Sequence, residues 1–190
     1  MIIKDLATLE RFSKNFAEFL KSFLEQGENA ENGVVQRSPQ DIFLLFKGGL
    51  AAGKTTTISM LIKALGVNSE SSSPTFMGMH EYSFKNIQLY HLDLYQKNID
   101  LDSVLELMDS DSPQIWMIEW SEKLDQEILD YLYLKHAYIK TFDVELKILE
   151  DDMRNLSLRE TFTEFRDSNE KEIDKNIENE VLKWSQQELN

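Results

Sequence analysis

Ile42-Phe43-Leu44-Leu45-Phe46, followed after Lys47 by Gly48-Gly49-Leu50-Ala51-Ala52-Gly53-Lys54-Thr55, is the stretch whose reading decides the fold. The five apolar residues form a continuous run, the pattern of a strand covered on both faces in a parallel sheet. Beyond the octet, Ile58, Leu61, Ile62 and Leu65 recur at helical spacing, and Gly66 is a natural stop. The octet therefore matches G-x-x-x-x-G-K-[ST] in the setting that motif requires, between a buried strand and a helix. Glycines let backbone amides approach phosphate oxygens closely, and the start of the following helix adds partial positive charge. Lys54 is expected to reach the outer phosphates of ATP, and the Thr55 hydroxyl to coordinate Mg²⁺. Gly48, Gly49, Leu50, Ala51, Ala52, Gly53, Lys54 and Thr55, with Thr56 next to them, are the candidate nucleotide-binding residues.

A magnesium ion held by a hydroxyl and phosphates calls for a carboxylate nearby. Two acids stand at the ends of expected strands: Asp93 in His91-Leu92-Asp93-Leu94-Tyr95, and Glu119 in Ile118-Glu119-Trp120. Ligands of open α/β sheets bind at the carboxyl ends of parallel strands, so both placements suit a phosphate site. Taken singly, either acid reads equally well as an exposed turn residue. The chain has three histidines and no cysteine. Cysteine-ligated metal and disulfide frameworks are thereby excluded, and without a His-x-x-x-His spacing His91 is read as structural. Ser73-Pro74-Thr75 reads as an ordinary turn or, near a nucleotide, as a hydroxyl loop that senses it.

Working outward, Leu6, Leu9, Phe12, Phe16, Phe19, Leu20 and Phe23 place an apolar stripe on a helix from about Asp5 to Leu24. Gly27 to Gln40 reads as a loop. Phe76 to Tyr82 and Ile87 to Leu94 read as strands joined by a turn at Ser83 to Asn86, and Val104, Leu105 and Met108 as a short helix. Ile115 to Ile118 is a second buried strand, with later strands at Tyr131 to Ile139, Val144 to Leu149 and Asn155 to Glu160. Ile173, Ile177, Val181 and Trp184 fall at helical spacing in charged surroundings. The pattern predicts an α/β fold: a P-loop NTPase three-layer sandwich with a mostly parallel central sheet, an N-terminal helix and an extra C-terminal helix. Residues 1–163 would form the nucleotide-binding domain, and 164–190 an acidic helical extension.

At 190 residues and 42% hydrophobic content the chain can bury one good-sized core. Its net charge of −14 repels phosphate backbones and anionic lipid surfaces, so any link to nucleic acid is expected to run through a partner. From Asp143 to Asn190 fourteen acidic residues face seven basic ones, which reads as a solubilising surface or a docking face for a basic partner. No apolar stretch suits a signal peptide or a bilayer span, and a soluble, cytoplasmic protein is expected.

Four blocks in order resemble the bacterial TsaE (YjeE) ATPases of tRNA threonylcarbamoyl-adenosine synthesis: Gly48 to Thr56, Ser73-Pro74-Thr75-Phe76, His91 to Tyr95 and Glu119-Trp120. The resemblance spans roughly Asp5 to Phe162. It implies a Mg²⁺-dependent ATPase in which Thr55 and Glu119 hold the metal, Asp93 acts near the γ-phosphate or its attacking water, and Thr75 belongs to a switch. It further implies that Thr8 and Arg154 flank the nucleotide, and that the partner is the TsaB/TsaD transferase complex, with tRNA met only indirectly. The chain departs from the family pattern at Gly49 and Ala51, where Asp and Gly are usual, and at Gln96, where an arginine is usual. The loop at 27–40 is longer than the family's turn.

Two other readings share the loop. A P-loop kinase of a small metabolite would normally clamp phosphates with arginines, and none occurs between Arg37 and Arg154. An ATP-binding scaffold with little hydrolysis fits the loss of an arginine at Gln96.

Overall fold

The computed structural model describes residues 1–24, 29–31, 34–36, 41–67, 73–76, 78–95, 99–110, 112–124, 128, 139–166, 169–178 and 181. Along the chain run β1 (Ile2–Ile3), α1 (Leu6–Leu24), β2 (Asn29–Glu31), β3 (Val34–Gln36), β4 (Asp41–Lys47), α2 (Lys54–Leu65), β5 (Ser73–Phe76) and β6 (Met79–Phe84). Then follow β7 (Ile87–Asp93), α3 (Leu101–Met108), β8 (Gln114–Glu119), β9 (Ile139–Ile148), β10 (Arg154–Arg166) and β11 (Asn169–Asn176).

Nine strands form one sheet in the order β1-β10-β9-β4-β8-β7-β6-β5, with β11 also paired to β10. The four central strands, β9, β4, β8 and β7, are parallel. Antiparallel strands extend the sheet on both sides, so the parallel character expected from the sequence belongs to its middle. β4 and β8 are buried along nearly their whole length, as their unbroken apolar runs require.

Alternation along these strands sends side chains to two separate cores. On one face Ile42, Leu44 and Phe46 of β4, Ile115 and Met117 of β8 and Phe142, Val144 and Leu146 of β9 meet α1 and α2. On the other face Phe43, Leu45, Tyr90, Leu92, Trp116 and Ile118 meet Val104 and Met108 of α3. Helices thus cover both faces of the sheet.

α1 begins where the Asp5 carboxylate accepts the Thr8 amide at 2.7 Å, an N-cap for a helix whose buried stripe carries Phe12, Phe16 and Phe19. Phe16 and Phe19 meet Phe142 edge-on at 5.9 and 6.0 Å. α2 ends at Gly66 in a left-handed conformation, and the Gly66 and Val67 amides return to Lys63 and Ile62 carbonyls. None of the described helices is long and apolar enough to cross a membrane.

The structure corrects several expectations. Within the expected loop at 27–40, β2 and β3 form an antiparallel pair, Glu31 facing Val34. Asn32-Gly33 lies between them in sequence, the dipeptide that most favours two-residue hairpin turns, and its signal was hidden among polar neighbours. Ser73-Pro74-Thr75 is part of edge strand β5, with a register shift between Pro74 and Phe76, and not a turn. The strand expected over 131–139 falls mostly on 129–138, outside the described residues, and β9 begins at Ile139.

The expected C-terminal helix is the largest difference. β10 runs unbroken across 163 and 164 to Arg166, and Ile173 lies in β11 opposite Phe162. A step of four residues keeps a side chain on one face of a strand as well as of a helix, so Ile173 and Ile177 did not discriminate. β1 covers β10 only at Arg154 and Asn155, leaving the edge from Arg159 to Arg166 to be paired by β11. The register sets Glu160 opposite Lys175 and Glu164 opposite Lys171. Among the described residues helical bonding returns where Val181 donates to the Ile177 carbonyl; both side chains are fully buried in the core that α1 joins. Residues 182–190, Trp184 included, lie outside the described residues.

Candidate functional site

The glycine loop leaves the carboxyl end of β4 and turns into α2, and its backbone conformation follows its glycines. Gly48 at φ 142 lies so close to β9 that a Cβ there would stand 2.4 Å from the Leu146 carbonyl oxygen. Gly53 at φ 102 starts α2, where the Thr57 amide and hydroxyl both return to its carbonyl. Nothing lies within 4 Å of a Cβ on Gly49 or Gly53, so the outer side of the loop is open. Ala51 adopts φ 59, a left-handed conformation that disfavours a Cβ by roughly 1 kcal/mol; this is a position where family resemblance calls for glycine.

Two substitutions separate these constraints. Gly48→Ala is expected to lower unfolding free energy by about 1–3 kcal/mol through the clash with β9. Gly49→Ala is expected to change it by less than about 0.5 kcal/mol, since the added methyl meets only open space. Urea unfolding of both variants checks the contrast.

Lys54 lies back across the loop. The residue is 4% exposed, and its ammonium donates to the Gly48 and Gly49 carbonyls at 2.8 and 3.0 Å and sits 3.8 Å from the Trp120 ring centroid. Burial pushes its pKa down, and the negative charges of Glu119, Glu122 and Asp93 pull partly the other way.

Glu119 closes β8, in register with Asp93 at the end of β7 and Phe46 near the end of β4. Alternation puts its side chain on the α2 face, because Ile115 and Met117 lie on that face. There the Thr55 hydroxyl donates to Oε2 at 3.0 Å and His91 Nε2 lies 2.9 Å from Oε1. Burial raises the Glu119 pKa, but the bonds from His91 and Thr55, with the charges of His91 and Lys54, outweigh it and hold the carboxyl below its ordinary range. It is ionised at neutral pH. A hydroxyl and a carboxylate 3.0 Å apart are hard oxygen donors of the kind Mg²⁺ takes. Among the described residues no group of three or more His, Asp or Glu could hold a metal.

Asp93, opposite Glu119 in the β7–β8 register, accepts the Tyr95 amide at 2.9 Å in an Asx turn. Arg154 opens β10 and approaches the loop through the Ala51 carbonyl at 3.5 Å. Thr8 is engaged by Asp5 in the first turn of α1. Thr75 lies on edge strand β5, separated from β7 by β6. Gln96 lies outside the described residues.

Two contributors were given no role at the site from the sequence. Trp120, left-handed at φ 57, covers Lys54 and packs on Tyr95 with ring centroids 5.1 Å apart. His91, read as structural for want of cysteine and of a His-x-x-x-His spacing, reaches Glu119 on the neighbouring strand. Alternation offered the signal: His91 and Asp93 share a face, but which acid on β8 stands beside them depends on register.

Comparison with known proteins gives a consistent result. Residues 5–156 match the family described as threonylcarbamoyl adenosine biosynthesis protein TsaE. The tRNA threonylcarbamoyladenosine biosynthesis protein TsaE of Synechocystis is 32% identical over 124 residues, 60% of this chain and 76% of that one. The protein of the same name from Rickettsia typhi is 31% identical over 153 residues, 79% of this chain and 90% of that one. A crystal structure of Bacillus subtilis YdiB aligns over 82% of this chain and 80% of that one, with a TM-score of 0.48 and 22% identity.

Proposed function

The chain belongs to the TsaE family of threonylcarbamoyl adenosine biosynthesis proteins, and from that premise we propose that it is a Mg²⁺-dependent ATPase of the P-loop NTPase type. Its ATP cycle would support the TsaB/TsaD transferase complex in threonylcarbamoylation of tRNA adenosine, with tRNA contacted only through that complex. A cytoplasmic setting goes with this role. The observation that carries the reading is the Thr55–Glu119 bond of 3.0 Å beside an open glycine loop at the carboxyl ends of β4 and β8. The helices following β4 and β7 cover opposite faces of the sheet, and the crevice between such strands is where open α/β sheets bind ligands.

The chain's own groups would work as follows. Backbone amides from Gly49 to Thr55 and the N-terminus of α2 cradle the phosphates. Lys54 leaves the Gly48 and Gly49 carbonyls and turns to the outer phosphates, exchanging two neutral acceptors for charged ones. Thr55 and Glu119 are the residues that would hold Mg²⁺, which when bound withdraws charge from phosphate oxygens. Asp93, held by the Tyr95 amide, would orient the attacking water. Arg154 would steady the loop through Ala51, and Thr8 would flank the nucleotide. Thr75 would act as a switch from the β5 edge.

The sequence has no arginine between Arg37 and Arg154, and Arg154 donates to the Asp152, Met153 and Ala51 carbonyls. Hydrolysis by the isolated chain is therefore expected to be slow, the partner completing the site. Phosphate release measured with and without the TsaB/TsaD pair tests this, with stimulation by the pair as the expected result. A fast rate unchanged by the pair overturns the dependence, and transfer of labelled γ-phosphate to a metabolite would point to a kinase instead.

A further inference from the structure

Glu119 is held by both of its oxygens, and the two holders differ in kind. Thr55, on Oε2, belongs to the loop that meets phosphate; His91, on Oε1, belongs to a buried strand. We propose that His91 is a positioning residue that anchors Glu119 Oε1, so that Oε2 alone is presented to the metal of the nucleotide complex. The proposal deepens the ATPase reading above and rests on it.

Three features support this assignment. First, His91 and Glu119 are 8% and 3% exposed, so the 2.9 Å bond is shielded from competing water. Second, the donor is rigidly placed: His91 faces Met117 across the parallel β7–β8 ladder and His80 across β6, and its ring lies 6.2 Å from the His80 ring at 30°. Third, an ionised carboxylate only accepts, so Nε2 carries the proton whatever the ring's charge. Partners beyond the direct ligands fix ligand orientation, and their removal typically weakens metal binding about 10- to 100-fold. Without His91 the carboxylate could rotate about its terminal bond and turn either oxygen, or neither, toward the loop.

The test compares His91→Phe, which keeps a ring against His80 but has no donor, with His91→Gln, whose Nε2 can reach the same oxygen. Electron paramagnetic resonance of Mn²⁺ with a non-hydrolysable ATP analogue reads metal affinity directly, and calorimetry in EDTA reads metal-free nucleotide affinity. His91→Phe is expected to weaken Mn²⁺ binding about 10- to 100-fold while leaving metal-free nucleotide affinity unchanged, with His91→Gln largely restoring it. Unchanged Mn²⁺ affinity in His91→Phe, or equal losses in both folded variants, overturns the role of His91 while leaving the ATP site standing. A nitrogen-15 spectrum of the unsubstituted protein supplies a check that needs no variant: a proton on Nδ1 with Nε2 bare would also overturn it. If the unsubstituted chain binds no nucleotide with or without metal, the underlying site reading falls, and the assignment of His91 with it.

Discussion

Lys54→Ala is expected to abolish measurable ATP turnover and to weaken nucleotide binding by roughly 100-fold or more. Lys54 is the one cation buried within the loop, and it is pre-placed there by two carbonyls and the Trp120 ring. A hydrogen bond from a charged group is worth about 1.5–3 kcal/mol, and the lysine is expected to make two to the outer phosphates. Each 1.4 kcal/mol is about tenfold in affinity, so two such bonds account for the predicted loss. The fold should survive, because alanine favours the helix that Lys54 begins and the lost contacts are to carbonyls at the open mouth of the loop. Calorimetric titration with ATP, beside a thermal melt, separates the two effects. Retention of near-normal affinity in a folded variant would contradict the phosphate role.

Glu119→Ala should behave differently. Nucleotide binding partly survives because the glycine cradle and Lys54 remain, whereas Mg²⁺-dependent turnover falls by about 10- to 100-fold, the value of one charged hydrogen-bonding group at the reacting centre. The loss should appear in kcat and in the Mg²⁺ concentration needed for half-maximal rate more than in metal-free ATP affinity. A structural cost accompanies it: the variant strips the Thr55 hydroxyl and the buried His91 ring of their shared acceptor, at about 1–3 kcal/mol for an unsatisfied buried group. Steady-state phosphate release at varied Mg²⁺ is the measurement. Equal, mild effects of Lys54→Ala and Glu119→Ala would contradict the separate roles given to them.

Much of this site could be read from residue order. The run from Ile42 to Gly66 carried strand, loop and helix together, and the structure forms β4, the loop and α2 with bounds one residue from those expected. Local chemistry suffices there: a continuous apolar run, glycines where φ is positive, and a glycine at the helix end. The acids at Asp93 and Glu119 were legible for a similar reason, since each closes a strand defined by its own apolar pattern.

Other features were not legible because they depend on which strand lies beside which. That His91 bonds Glu119, and not the nearer-in-sequence Asp93, follows from the β7–β8 register, which sets Asp93 against Glu119 and His91 one step back on the same face. That residues 169–176 are β11 follows from the edge of β10 left open by the short β1, since their four-residue apolar step fits strand and helix alike. The chemistry of the loop was thus written in a contiguous segment whose bonds are local. The company its lysine and carboxylate keep came from pairing between distant strands, because a register acts through backbone bonds that leave no mark on residue spacing.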